Sequence, residues 1–549
     1  MSISELKVAR ETTVAHRLDG RKWVVASSIL VVAVCAVLRT YNLLVLPIFT
    51  DEATYLRWSA EIFDRRTAIS LFIPVADDGK QPMYIWLATG AMFMTSDPLL
   101  AGRIVLVVTG TLSVIGTILA GRWLEDHLLG LIAGFLYAIV PYVLFFDRMA
   151  LADGIVSSTA IWSFGLGVFL VTRARSSRSA LLVGATLGAV IAFGVWVKPT
   201  ALFELPLPLL CLLLLPREGR PGRRPIWGLV VGYAVFAALT SLLIVMPYAE
   251  NQLTLLATHV YSPEQLIGGL PIPIWISSAR DYWFWMVAYL PAPLDWVVLA
   301  ASIWGLIYRR RETLLLLACW AADLVPSVLL AHYFSSRYVL QSVFPLLILA
   351  AMLIKEVGRR LVGLWNNFGA LRERTLVAAI GVALAVAVTA PSVDFDIRLL
   401  TNPPSAPWPA DDLKQYVEGW SAGYGFKEAL DFTLQRAKEL GGVVFVLSDN
   451  FQGFPDDGLA LYIRNMPNVR HYVDGRIMWG GKGLADAWRS HNVPLLIVRD
   501  DGRFNPDNFD KNLEKNLPEA KRLAVFWKPG RESSFRVYEM DLRDTKSAK

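Results

Sequence analysis

Charge is scarce in this chain. Only 18% of its 549 residues are Asp, Glu, Lys or Arg, against about 25% in an average soluble protein. Cysteine is scarcer still: Cys35, Cys211 and Cys319 all lie inside apolar runs, which excludes a disulfide framework and a metal-thiolate site. The sequence has no Walker loop, no Gly-rich phosphate loop after a strand, no Cys/His metal spacing and no Ser nucleophile elbow. An ATP-driven pump and the common soluble-enzyme chemistries lose their usual markers with them. Ala-Gly-Tyr-Gly at 422–425 is too short and poorly placed to bind a dinucleotide. There is no internal repeat and no low-complexity tract.

What is present is apolar. Hydrophobic residues make up 54% of the chain, and the mean hydropathy is +0.44. The apolar stretches are long and unbroken rather than alternating, which argues against a membrane β-barrel. The class left is a polytopic α-helical membrane protein. Spans are predicted at 22–38, 104–121, 128–146, 153–172, 180–196, 200–215, 226–247, 294–308, 313–331, 337–354 and 374–391. The shorter apolar piece 83–95 reads as an interfacial or re-entrant helix. Lys7, Arg10, Arg17, Arg21 and Lys22 precede Trp23–Leu38, and no small-residue cleavage site follows, so this run is read as an uncleaved first span.

The net charge of +6 is explained by the positive-inside rule, not by nucleic acid. Basic clusters at the N-terminus, Arg173–Arg178, Arg217–Arg224, Arg309–Arg311 and Lys355–Arg374 all fall on one side of an eleven-span chain, and that side is the cytoplasm. Thirteen spans result if an outer segment hides two half-length helices. The expected location is the plasma membrane, as a bacterial inner-membrane protein. Residues 1–391 form the membrane domain, with a first outer loop at 39–103. A Pro-rich linker follows over 392–409, and 410–549 form an extracytoplasmic α/β domain. In that domain helices are expected at 411–418, 426–440 and 457–465, and strands at 443–447, 494–498, 523–527 and 535–538.

The first outer loop carries the most informative residues. Asp51 and Glu52 stand side by side close to the bilayer surface. They suit the first turn of a helix capped by Thr50, and equally suit a general base that takes a proton from an acceptor hydroxyl. One carboxylate would take the proton and the other would tune or position it. Lys80 ends the loop, ahead of Gln81-Pro82 and an aromatic-rich helix that includes Tyr84. Arg103 opens the second span, and Arg337-Tyr338 open a later one. Each is either a snorkelling anchor or a cation for a lipid-linked phosphate. Asp147, Arg148 and Asp153 interrupt apolar runs on the outer side, Asp147–Arg148 reading as a local ion pair and Asp153 as the better site candidate. Lys198 sits in a tight outer turn. His259, in a later outer loop, is more often structural than a metal ligand.

Together these residues resemble the GT-C membrane glycosyltransferases, in the branch of the protein O-mannosyltransferases and the aminoarabinose lipid A transferases. The matching pieces are Asp51-Glu52, Lys80-Gln81-Pro82-Met83-Tyr84, Arg103, Arg148–Asp153, Lys198-Pro199-Thr200 and Arg337-Tyr338. The resemblance implies a sugar on a polyprenyl phosphate, transferred with inversion outside the cytoplasm by a hexosyl- or pentosyltransferase. The acceptor would be a lipid, glycan or protein, at a site bordered by membrane lipids. It implies Asp51, as the general base, and Glu52 as catalytic residues, in agreement with Glu52 being the more natural partner of backbone amides at the first turn, and Lys80, Arg103 and Arg337 as phosphate contacts. Tyr55, Tyr84, Asp153, Lys198 and Tyr338 are the expected substrate contacts. No metal ligand is assigned. The lipid A branch carries an acidic residue associated with a metal just before the lysine, where this chain has Gly79, so a divalent ion is possible but unsupported. A transporter would place ionisable residues near mid-membrane, whereas here they gather at outer span ends. A polysaccharide polymerase or ligase would differ in its acceptor, not in its overall chemistry.

Overall fold

The computed structural model describes residues 3–215, 223–367, 371–449, 453–479, 481–503, 513, 515–541 and 543. The side chains of residues 3–21, and with them Lys7, Arg10, Arg17 and Arg21, lie outside the described residues, as do residues 217–222 of the second loop cluster.

Turn chemistry divides the apolar sequence into helices. Helix α1 (Ile3–Thr40) leads to a short turn and then α2 (Thr50–Arg65), α3 (Ile73–Asp78) and α4 (Met83–Ala91). Helix α5 (Pro98–Leu124) starts at Asp97, whose carboxylate accepts from the amides of Leu99 at 2.9 Å and Leu100 at 3.1 Å. Asp126 caps α6 (His127–Ile139) through the Leu129 amide in the same way. Proline then breaks what reads as one run: α7 (Pro141–Phe146) is a separate turn before α8 (Asp153–Thr172) and α9 (Ser177–Val197).

A 3₁₀ turn, Pro199–Glu204, precedes α10 (Pro206–Leu214), α11 (Arg224–Ser241), α12 (Ala249–His259) and α13 (Pro263–Gly268). Then come α14 (Ile272–Tyr289), α15 (Leu294–Tyr308) and α16 (Arg310–Leu330). A second 3₁₀ segment, Ser336–Ser342, leads into α17 (Val343–Asn367) and α18 (Leu371–Thr401).

Among the described residues eight helices are long and apolar enough to cross a membrane, and each coincides with one of the eleven expected runs. The other three runs differ for stated reasons. Residues 128–146 are broken at Pro141, and 200–215 are divided between a 3₁₀ turn and α10. Residues 294–308 belong to a pair, α14 and α15, bent by 113°. The piece 83–95 forms the nine-residue α4, which at about 1.5 Å per residue is too short to span. Helix α18 continues through Pro391 to Thr401, so the irregular connection is confined to 402–409.

Beyond it lie α19 (Ala410–Leu413), α20 (Phe426–Leu440), β1 (Val444–Ser448), α21 (Asp456–Ile463), β2 (Val469–Val473), α22 (Leu484–Arg489), β3 (Pro494–Asp500), β4 (Lys521–Trp527) and β5 (Ser534–Asp541). The sheet order is β2-β1-β3-β5-β4. Strand β1 is parallel to β2 and β3, and β5 is antiparallel to β3 and β4. The inner strands β1 and β3 are buried at every position, which matches the apolar runs Val444–Leu447 and Pro494–Val498. Strand β2 had no place in the sequence reading. It is an edge strand carrying Arg470 and His471, and so shows no hydrophobic run.

Candidate active site

The stretch entering α2 explains why two adjacent carboxylates behave differently. No side chain caps the helix from Phe49, and the Thr50 hydroxyl has no hydrogen-bond partner among the described residues. Glu52 does the capping instead. Its carboxylate accepts from the Phe49 amide at 2.9 Å and the Ala150 amide at 2.5 Å. It is fully buried and also takes both Nε and Nη2 of Arg103, at 2.9 and 2.8 Å. Arg103 spends its remaining donors on the carbonyls of Leu43, Leu46 and Pro47. The expectation that Arg103 meets a phosphate alongside Lys80 and Arg337 is therefore corrected. Its guanidinium is saturated inside the protein and is not part of the wall of the cavity that Lys80 and Arg337 line. Glu52 likewise faces this arginine and the backbone rather than open space.

Asp51 points the other way, into a cavity it shares with Tyr55, Lys80, Tyr84, Lys198, Arg337 and Tyr338. Its Oδ2 lies 2.6 Å from Nη1 of Arg337, and its side chain is one-third exposed. Burial raises the Asp51 carboxyl, but the Arg337 guanidinium, with Lys80 and Lys198 behind it, outweighs burial and holds it below the ordinary carboxylate range. The Arg337 guanidinium also lies 5.1 Å from the Tyr338 ring centroid and 5.7 Å from that of Phe49, and its Nε has no hydrogen-bond partner among the described residues. Lys80 Nζ is 3.5 Å from Asp78, a loose pairing. Lys198 Nζ contacts Asp153 at 2.5 Å and sits 4.0 Å from the centroid of Tyr338. Asp153 thus positions a cavity lysine, while the cavity lining does not include Asp153 itself. Tyr55 and Tyr84 meet edge-on at 5.7 Å. Burial keeps both phenols protonated, with Asp51 adding to it for Tyr55 and Glu52 for Tyr84, so both are hydrogen-bond donors.

Asp147 and Arg148 do not pair with each other. Asp147 binds Arg39 at 2.7 Å in a fully buried ion pair, and Arg148 donates to the carbonyls of Leu38, Arg39, Tyr41 and Asn42. Both are packing elements that tie the turn after α1 to the bundle. The cavity wall also includes Phe203, Gln252, Leu256, Tyr333 and Phe334, which sequence reasoning passed over. The available hint was α12, whose Gln252, Leu255, Leu256 and His259 recur at helical spacing on one face.

A divalent ion finds little to bind here. His259 lines the cavity with Nδ1 engaged by the Leu255 carbonyl at 2.9 Å, and Asp51 is occupied by Arg337. Among the described residues no group of three or more His, Cys, Asp or Glu side chains gathers to hold a metal. Gly79 has φ +64°, and a Cβ there would stand 2.3 Å from the Asn251 carbonyl oxygen. A side chain before Lys80 therefore meets a strained φ and requires the Asn251 backbone to shift.

The long helical bundle with its first-loop helices and terminal sheet domain shares its fold with solved GT-C membrane enzymes. No family model and no curated protein matches the chain, so the likeness is structural. ArnT from Cupriavidus metallidurans superposes with a TM-score of 0.55 at 14% identity, over 94% of this chain and 98% of that protein. The oligosaccharyltransferase of Archaeoglobus fulgidus gives 0.51 at 13% identity, over 87% and 69%. The mycobacterial arabinofuranosyltransferase AftD gives 0.50 at 13% identity, over 94% of this chain and 40% of that one.

Proposed function

We propose that the protein is an inverting glycosyltransferase. It moves a hexosyl or pentosyl group from a polyprenyl-phosphate donor to a hydroxyl on a lipid, glycan or protein, at the extracytoplasmic face of the bacterial inner membrane. The observation that carries this reading is the cavity in which one carboxylate, Asp51, faces Arg337, Lys80 and Lys198. Two further facts support it: the GT-C fold, and the solved ArnT structure with undecaprenyl phosphate, which superposes with a TM-score of 0.54.

The chemistry follows from the charges. The acceptor oxygen attacks the anomeric carbon on the face opposite the phosphate. The carbon–oxygen bond to phosphate breaks, and the polyprenyl phosphate leaves as an anion, so no general acid is required. Lys80 and Arg337 stabilise the charge that grows on the phosphate. Asp51 receives the acceptor proton. A phosphate also competes for Arg337. Drawing that guanidinium away frees Asp51 and lets its carboxyl rise toward the range of a working base, so the base is released when donor is present.

Sidedness is supported by the two ends of α5. Arg103 and the cavity elements lie at its start. At its far end, about 40 Å away for 27 residues, Glu125 pairs with Arg309, Lys355 and Arg359. That end carries the basic loops and reads as cytoplasmic. The test is transfer from labelled polyprenyl-phosphate sugars to envelope extracts by the purified protein and its Asp51→Asn variant. Unchanged transfer by a folded variant rejects Asp51 as the base, and absence of any transfer by the wild type rejects the donor class.

A further inference from the structure

Among the described residues the C-terminal domain contributes no side chain to the cavity lining, yet its buried carboxylates reach both halves of the Asp51–Arg337 pair. Asp457, in the first turn of α21, is 1% exposed. Its Oδ2 accepts from the Thr54 hydroxyl at 2.5 Å and the Gly453 amide at 2.7 Å, and its Oδ1 from Arg57 Nε at 2.5 Å. Thr54 and Arg57 are the next two turns of the helix that begins beside Asp51. The backbone closes on the same place. The Thr50 amide donates to the Ser421 carbonyl at 3.0 Å. A Cβ on Gly453 would stand 2.3 Å from Thr50 Cγ2, and one on Gly423 would stand 1.9 Å from the Ile48 carbonyl oxygen.

The second contact is at Asp412, also 1% exposed. It accepts from the Tyr289 hydroxyl at 2.5 Å and the Ser336 hydroxyl at 2.9 Å. Ser336 is the residue before Arg337, and its carbonyl accepts from Tyr142.

We infer that the C-terminal domain is a positioning element for the cavity. Asp457 sets the helix that carries Asp51, and Asp412 sets the segment that carries Arg337. This rests on the reading of Asp51 as base and Arg337 as phosphate contact. Neither carboxylate touches the cavity, so both act through the residues they hold. A displacement of about 1 Å in a reacting group costs up to roughly a hundredfold in rate, so the two contacts have separable kinetic consequences.

The experiment uses the full-length protein in lipid nanodiscs. It reads sugar transfer from undecaprenyl-phosphate-linked donors, and binding of undecaprenyl phosphate itself. Asp457→Asn is expected to slow transfer by about ten- to a hundredfold with undecaprenyl phosphate binding unchanged. Asp412→Asn is expected to weaken that binding first. Because Asp457 acts through Asp51, adding Asp457→Asn to Asp51→Asn should leave the residual rate where Asp51→Asn alone put it. Thr54→Val removes the same hydrogen bond from the other side and takes the place of Asp457→Asn if that variant does not fold. A further multiplicative loss in the double variant, or equal loss of binding and rate in both single variants, overturns the inference and leaves the carboxylates as general packing. Unchanged transfer by Asp51→Asn alone overturns the base reading and this assignment with it. That single variant identifies which of the two has failed.

Discussion

Two neighbouring carboxylates, Asp51 and Glu52, each pair with one arginine at hydrogen-bond distance. The Glu52–Arg103 pair is sealed, with side-chain exposures of 0% and 1%, and every lone pair it needs is met by amides or guanidinium. The Asp51–Arg337 pair is open, at 33% and 11%, and borders a cavity with two more cations. The contrast teaches that charge and sequence position do not make a site. What separates the two is whether the groups have capacity left over for a ligand. A saturated buried pair is a structural joint whose breakage strands a charge. An open pair beside two further lysines is an exchangeable contact, because an arriving anion can take over one partner.

That comparison can be broken in several ways. The largest effect should come from Asp51→Asn, which keeps the shape and removes the proposed base. Transfer should fall by roughly 10²–10⁴ while the thermal unfolding transition stays in place, as read by a label-transfer assay beside a melting curve. Glu52→Gln should do the reverse. It leaves Arg103 buried with a neutral partner, and stability should drop by about 3–5 kcal/mol, seen as a lowered melting temperature and a poor yield of monodisperse protein. If Glu52→Gln melts like wild type and loses only activity, the division of roles is wrong.

Gly79→Ala should cost about 1–3 kcal/mol of stability, because φ +64° and the Asn251 carbonyl both oppose a side chain. A fully stable Gly79→Glu variant would instead reopen the acidic position that the aminoarabinose branch has before its lysine. The smallest effect is on pH. The folded carboxyl of Asp51 lies below its ordinary value, so its ionised form, and the stability of its pair with Arg337, persist as pH falls and are lost only on passing through that lowered value. The ratio kcat/KM, which reports the free enzyme, should therefore show no acid limb from Asp51 between pH 7 and 5. The limb in kcat should lie higher, because in the proposed reaction the donor phosphate takes over Arg337. Coincident limbs would argue that Arg337 stays on Asp51 through the reaction.

The local features were legible where local chemistry sets them. The apolar runs marked the helices, and the acidic pair Asp51-Glu52 was visible because it stands only about a dozen residues after the first span, at the start of a helix. Helix α20 falls on the expected 426–440, since its apolar periodicity is strong. The misses share a cause. Residues 128–146 look like one span until Pro141 breaks the hydrogen-bond ladder. Asp147 looks like a partner for its neighbour Arg148, because sequence proximity conceals Arg39, 108 residues away. Arg103 looks free at the start of a span, because three carbonyls of a preceding turn do not register in a hydropathy pattern.

The sequence by itself determined that the chain enters a membrane, where its long helices run, that a sheet domain follows them, and which loop holds the reactive residue types. Those properties depend on composition and on the spacing of neighbours, and water and lipid read them without reference to the rest of the molecule. Only the tertiary structure decided that Asp51 meets Arg337 while Glu52 meets Arg103, and that Asp457 grips Thr54 across 403 residues of chain. Such pairings follow from how helices and sheet pack. A carboxylate becomes a joint or a site according to what packing leaves beside it, and no local pattern carries that information.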